Sequence, residues 1–327
     1  MRFGGGRTLL AGTLAAGLFL PSPGHGQALH QLAASCSAGA PELSALCHET
    51  VLAFKAARGG LGLAATGGAD LPGSASTLGW RLPGSPRLSF ALGGGIARFS
   101  LPDLKRGGAL PTGERSLLVP SAHLSASLGL FKGFSPAPTM GGLLSVDLTG
   151  TGHLVIPPSD GGFQDRVTGW GAGIRVGLFR ESFTLPGVSV SFFHRNLGSV
   201  ELGDEGGGVS AGARFDVRVS SVRALVGKDI LGVGLLAGAG WDRYSGEVDL
   251  FAQDEEWEIS SHASSDDITS RRPVYFLGAS RTFLVLQLSG EVGWAPGFEP
   301  YLPDRTGGSF DPSQRQFFGS VSLRMTF

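Results

Sequence analysis

The sequence predicts an all-β fold: a transmembrane, antiparallel, up-and-down β-barrel of about ten strands, with twelve as the next count, preceded by a short helical segment. Three observations carry this. From Phe317 to Phe327 the side chains alternate without a slip. Phe317, Gly319, Val321, Leu323, Met325 and Phe327 fall on one face, and Phe318, Ser320, Ser322, Arg324 and Thr326 on the other. Only a strand has that period of two. Charged residues are 16% of the 327, yet hydrophobic residues are an ordinary 42% and mean hydropathy is only +0.14, so apolar residues are dispersed. A membrane barrel has that composition because every second strand residue meets lipid, whereas a membrane helix needs about 18 or more apolar residues in a row. Finally, from Arg87 onward strand-like stretches are joined alternately by one short and one long connection.

The ten expected strands are 87–101, 115–130, 142–153, 167–180, 188–202, 209–227, 231–250, 272–281, 283–296 and 315–327. Long connections fall near 102–114, 154–166, 203–208, 251–271 and 297–314, and short ones between them. An even count returns both ends of the barrel to one side of the membrane. Trp170, Trp241 and Trp294 lie about ten residues from the short-turn ends of their strands and share the apolar parity. Ten tilted residues rise roughly 25 Å, the height of an apolar band, so these indoles are expected to form the outer aromatic girdle.

Residues 1–26 read as a secretory signal: Arg2 and Arg7, an apolar stretch from Leu9 to Leu20, then small residues. Residues 27–60 read as a helical cap or plug at the periplasmic mouth. Pro41 and Glu42 suit a first turn, Leu43, Leu46, Cys47, Val51, Phe54 and Ala57 recur at helical spacing, and Gly59-Gly60 is the expected stop. A short helix over Ala28 to Ala34 precedes it. Cys36 and Cys47, the only cysteines, are expected to form a disulfide in an oxidising compartment; a metal pair is the alternative, for which His48 is the sole neighbouring ligand. Residues 61–86 read as a Gly/Ser/Pro-rich linker, and 87–327 as the barrel.

The strand closing on Phe327 resembles the C-terminal strand of bacterial outer-membrane β-barrels. The resemblance implies a Gram-negative-type envelope, outer-membrane lipid as surroundings, and recognition of Phe327, Met325, Leu323 and Val321 by the barrel-assembly machinery. The piece ASTLGW, Ala75 to Trp80, resembles the region after the N-terminal hatch of long-chain fatty-acid transporters, which implies an apolar cargo.

The polar parity of the strands is expected to face the lumen. Its charges are Asp147, Arg175, Arg214, Asp216, Arg218, Asp242, Glu291 and Arg324, with Asp147 near Arg175 and Arg214 or Arg218 near Asp242. They are read as a salt-bridged interior, or else as a pore lining; the many inward glycines leave room for water or a slender ligand. The expected role is a structural barrel or a narrow, porin-like channel for small or apolar solutes, with no enzymatic activity, cofactor or metal. The alternative is a rim hydrolase of protease or lipase type using the loop 251–271, with His262, Ser264 and Asp266. With a net charge of -1 and no run of like charge, no nucleic-acid partner is expected.

Overall fold

The computed structural model describes residues 25–327 except 69, 82–84, 105–112, 137–140, 165, 205–208, 257, 267 and 299–309. The signal expected over 1–26 lies outside the described residues but for its last two. Two helices, α1 (His25–Gly39) and α2 (Ser44–Thr66), precede a small hairpin, β1 (Trp80–Arg81) and β2 (Ser85–Pro86). Twelve strands follow: β3 (Leu88–Pro102), β4 (Glu114–Phe131), β5 (Ser145–Val155), β6 (Val167–Phe179), β7 (Gly187–Asp204), β8 (Val209–Ile230), β9 (Val233–Ser245), β10 (Val248–Asp254), β11 (Ile259–Ser265), β12 (Ser270–Phe283), β13 (Leu286–Ala295) and β14 (Gln316–Thr326).

Ten of these close an antiparallel barrel in the order β8-β7-β6-β5-β4-β3-β14-β13-β12-β9, the pairing of β8 with β9 sealing it. Closure removes the sheet edges that lipid could not satisfy. At the C-terminal rim Phe327 and Leu88 exchange backbone hydrogen bonds, 2.8 and 3.3 Å, and the Phe327 ring meets Phe90 edge-on. Outward side chains from Phe90 and Leu92 on β3 to Val321 and Leu323 on β14 are exposed, as a lipid-facing wall requires. Trp170, Trp241 and Trp294 are on that outward face, Trp294 stacked on Tyr275 at 5.5 Å.

The stretch read as one strand, 231–250, is two. Gly246, at φ +149°, ends the β9 segment, and β10 continues in the same direction along the upper part of β8. With β11, across most of what reads as the loop 251–271, it forms a hairpin that extends the wall past the level of Trp241.

The helices stand elsewhere than expected. The strands begin and end at the rim that carries Phe327, whereas α1 packs on β10 and β11, at the opposite rim. Helix α2 enters the lumen from there, touching β3, β4, β5, β8, β9, β10 and β14. Residues 67–79 then run down the lumen to the C-terminal rim. The reason is in the helix's composition: α2 is buried on nearly every side and so can only be an interior element. Gly59-Gly60 does not stop it. A Cβ on Gly60 would lie 2.3 Å from the Phe99 ring and one on Gly62 2.3 Å from Tyr244, so the glycines let the helix approach the wall. Glycine costs a helix about 1 kcal/mol each, which packing here offsets. The Cys36–Cys47 disulfide joins α1 to α2, and the Ser261 hydroxyl of β11 donates to the Cys36 carbonyl.

Candidate functional site

The lumen changes character along its length. In its upper half the inward residues are apolar: Phe99, Leu117, Val119, Leu197, Phe215, Val217 and Val219 pack on α2, with Phe54 edge-on to Phe215 at 5.1 Å. This inverts the expected parity of β8. Arg214, Asp216 and Arg218 point outward above the level of Trp241, where Arg214 pairs with Glu201, and Arg218 with Asp216 at 2.8 Å and Glu247 at 3.7 Å. An apolar helix fills the space they were expected to line. The basic partner of Asp242 is therefore Arg223, at 2.8 Å, fully buried with it. The inward glycines make room for rings rather than for solvent: a Cβ on Gly238 would sit 2.2 Å from Phe276, and one on Gly173 2.4 Å from Phe193.

Lower down, polar wall residues grip the plug. Asp70 accepts from Arg195 Nη2 at 2.6 Å and from the Ser191 hydroxyl at 2.5 Å, the ion pair being 4% and 2% exposed. Thr66 at the end of α2 donates to Asp242 at 3.2 Å. Arg272 binds the Gly59 carbonyl, Gln316 and Tyr244 at 2.5, 2.5 and 2.9 Å, fixing the helix where its glycines pass the wall. Asp147 and Arg175 are direct cross-strand partners, yet both turn to the plug: Asp147 accepts the Leu78 amide and Arg175 donates to the Ser74 carbonyl, each at 2.8 Å. Thr77 meets Ser145 at 2.5 Å, so the ASTLGW piece lies within this contact zone. Glu291 and Arg324 also point inward, at different heights: Glu291 pairs across the sheet with Ser320, and Arg324 with Gln287. Arg195, Arg223, Arg272 and Asp70 escape sequence reading because each needs a partner 19 or more residues away or a plug whose path is unknown.

One apolar groove indents the outer surface of the wall, where the strands remain paired. A groove of about 800 Å³ crosses β3, β4, β12, β13 and β14, lined on the lipid side by Ile96, Leu277, Val292 and Val321. A Cβ on Gly94, Gly290 or Gly319 would meet nothing closer than 3.6 Å. These glycines are not required by internal packing; they leave the groove open. At its base is Glu291, and behind Glu291 stands Gly68 of the plug.

At the upper rim His262 and Ser264 lie two apart on the outward face of β11, opposite Phe251 and Asp249. Among the described residues no hydrogen bond joins them to each other or to an acid; Asp267 lies outside the described residues. No group of three or more His, Cys, Asp or Glu among the described residues could hold a metal ion.

The geometry defines a closed ten-stranded barrel filled by its own N-terminal segment. No protein-family model matches the chain and no curated protein is similar to it. Solved structures similar to it are bacterial outer-membrane barrels. The outer membrane protease OmpT of Escherichia coli is 11% identical over 78% of this chain and 100% of that one, TM-score 0.37. The translocator domain of the autotransporter NalP of Neisseria meningitidis is 10% identical over 75% and 90%, TM-score 0.37. The toluene transporter TodX of Pseudomonas putida is 11% identical over 78% and 95%, TM-score 0.29. These likenesses concern the barrel alone. The expectation that the chain is not an enzyme is nevertheless withdrawn, because a protease is among the barrels it is similar to.

Proposed function

We propose that the protein resides in the bacterial outer membrane and admits small apolar solutes through the wall groove, the N-terminal plug closing the lumen behind it. The observation that carries this reading is the groove at Gly94, Gly290 and Gly319: apolar, open to the lipid side, and bounded inside by the plug at Gly68. Apolar solutes concentrate in the bilayer core, so an entrance there needs no desolvation of the cargo. Outer-membrane lipid is then the surrounding partner, and the barrel-assembly machinery the partner during biogenesis. The rim carrying Phe327 faces the periplasm, and α1 with the disulfide faces outward.

Filling the groove tests the reading. Gly290→Leu with Gly319→Leu is expected to cut uptake of toluene into proteoliposomes by about tenfold while the heat-modifiable band of the folded barrel persists. Equal uptake by wild type and variant would sink it.

A further inference from the structure

The C-terminal rim holds a second cavity, about 880 Å³, below the plug and away from the groove. Its charged lining consists of Arg87, Arg180, Lys228 and Arg324 against Glu181 and Asp229. Both acids are engaged by backbone: Glu181 accepts the Asp229 amide at 2.5 Å, and Asp229 accepts the Gly232 amide at 2.9 Å. Arg180 spends Nη2 on the Lys132 carbonyl at 3.1 Å, while its buried Nε has no partner. Arg324 is the more telling case, since its Nε and Nη1 are both out of contact with solvent and without a hydrogen-bond partner. Buried guanidinium N–H groups left unmade are costly, and cations crowded around a cavity repel one another. Burial, and after it the charge of Arg87, hold Arg180 below the usual guanidinium range.

Apolar side chains flank these cations. Phe183 is 99% exposed and Leu231 100%, and both line the same cavity with Ile230. Leu231 at φ +55° and Gly232 at φ +82° form the two-residue turn between β8 and β9. The turn places this bare leucine at the mouth of the basic cavity.

We propose that this cavity binds the oxyanion group, phosphate or carboxylate, of an amphiphile. Arg324 and Arg180 line the cavity and supply the positive charge that an oxyanion takes, and Phe183, Ile230 and Leu231 receive the first part of its apolar tail. The amphiphile comes either from the membrane, as an anionic lipid headgroup, or from solution.

The test uses the full chain in phosphatidylcholine nanodiscs. In one arm octyl phosphate is titrated by calorimetry against empty nanodiscs. In the other, nanodiscs doped with phosphatidylglycerol are analysed by native mass spectrometry for retained lipid. Saturable binding is expected in at least one arm, weakened about tenfold or more by Arg324→Gln and by Arg180→Gln, and unchanged by Arg214→Gln at the far rim. Binding of octyl phosphate assigns the site to a soluble amphiphile; retention of phosphatidylglycerol alone assigns it to a lipid. No saturation in either arm, or equal affinity in wild type and Arg180→Gln, overturns the proposal. Arg180 lies on the turn after β6, so that variant tests the site even where Arg324→Gln fails to fold.

Discussion

Asp70 shows how much rests on single side chains in this lumen. It is the one carboxylate of the 67–79 segment, and it holds Arg195 and Ser191 of β7 in a dry interior. Replacing it with Asn leaves the buried Arg195 without its countercharge, a change that costs about 3–5 kcal/mol where an ion pair is fully desolvated. The barrel's backbone ladder does not depend on that pair. Asp70→Asn is therefore expected to speed amide exchange across residues 67–79 and leave β5 to β7 protected; exchange rising equally in plug and strands would contradict this. The same residues mark the limit of sequence reading. Asp147 and Arg175 are legible as inward neighbours because strand parity and adjacency are local. Arg223 is not, because recognising it as the partner of Asp242 requires knowing that Phe215, Val217 and Val219 face a helix.

At the scale of elements, α1 and α2 depend on the staple between them. Cys36 and Cys47 are 11 positions apart, and closing so short a loop stabilises by about 3 kcal/mol on the chain-entropy view. Replacing both cysteines with serine is expected to free α1 from β11 first, so that limited proteolysis cuts between 25 and 43 before any strand. His48 adds a pH dependence at the same place. Burial, and then the nearby charge of His30, hold its imidazole below the ordinary value of 6.5. A base whose folded pKa is depressed is stabilising while neutral. Its contribution is complete above about pH 6.5 and is lost as pH falls from there through the folded value. Protection of α2 amides should accordingly weaken between neutral and mildly acid pH in the wild type and stay flatter in His48→Gln; parallel profiles would remove His48 as the cause. The helix's extent was misleading in sequence for a physical reason. Gly59-Gly60 is a stop signal for a solvated helix, but inside a barrel the same pair is what lets the backbone pass Phe99 and Phe298.

For the whole molecule, an occupied lumen predicts electrical silence. Full-length protein in planar bilayers is expected to show no sustained conductance steps, and deletion of 27–75 to produce them. Large steady steps from the intact chain would mean that α2 and the 67–79 segment do not hold the lumen as described. Asp70→Asn should fall between, with brief openings as the plug loosens.

What the amino-acid order decided alone was the wall: ten strands, their parity in β14, and tryptophans on the outward face. A strand's alternation and a lipid's demand for apolar side chains both act within a few residues, so both are written locally. The β10–β11 hairpin was hidden because short strands rich in Ser and Asp carry a loop's composition. The tertiary structure alone decided which rim the helices occupy, which face of β8 meets them, and which of the buried arginines find acids. Those outcomes depend on how a chain threads a closed barrel, and contacts between Asp70 and Arg195, 125 residues apart, leave no local trace.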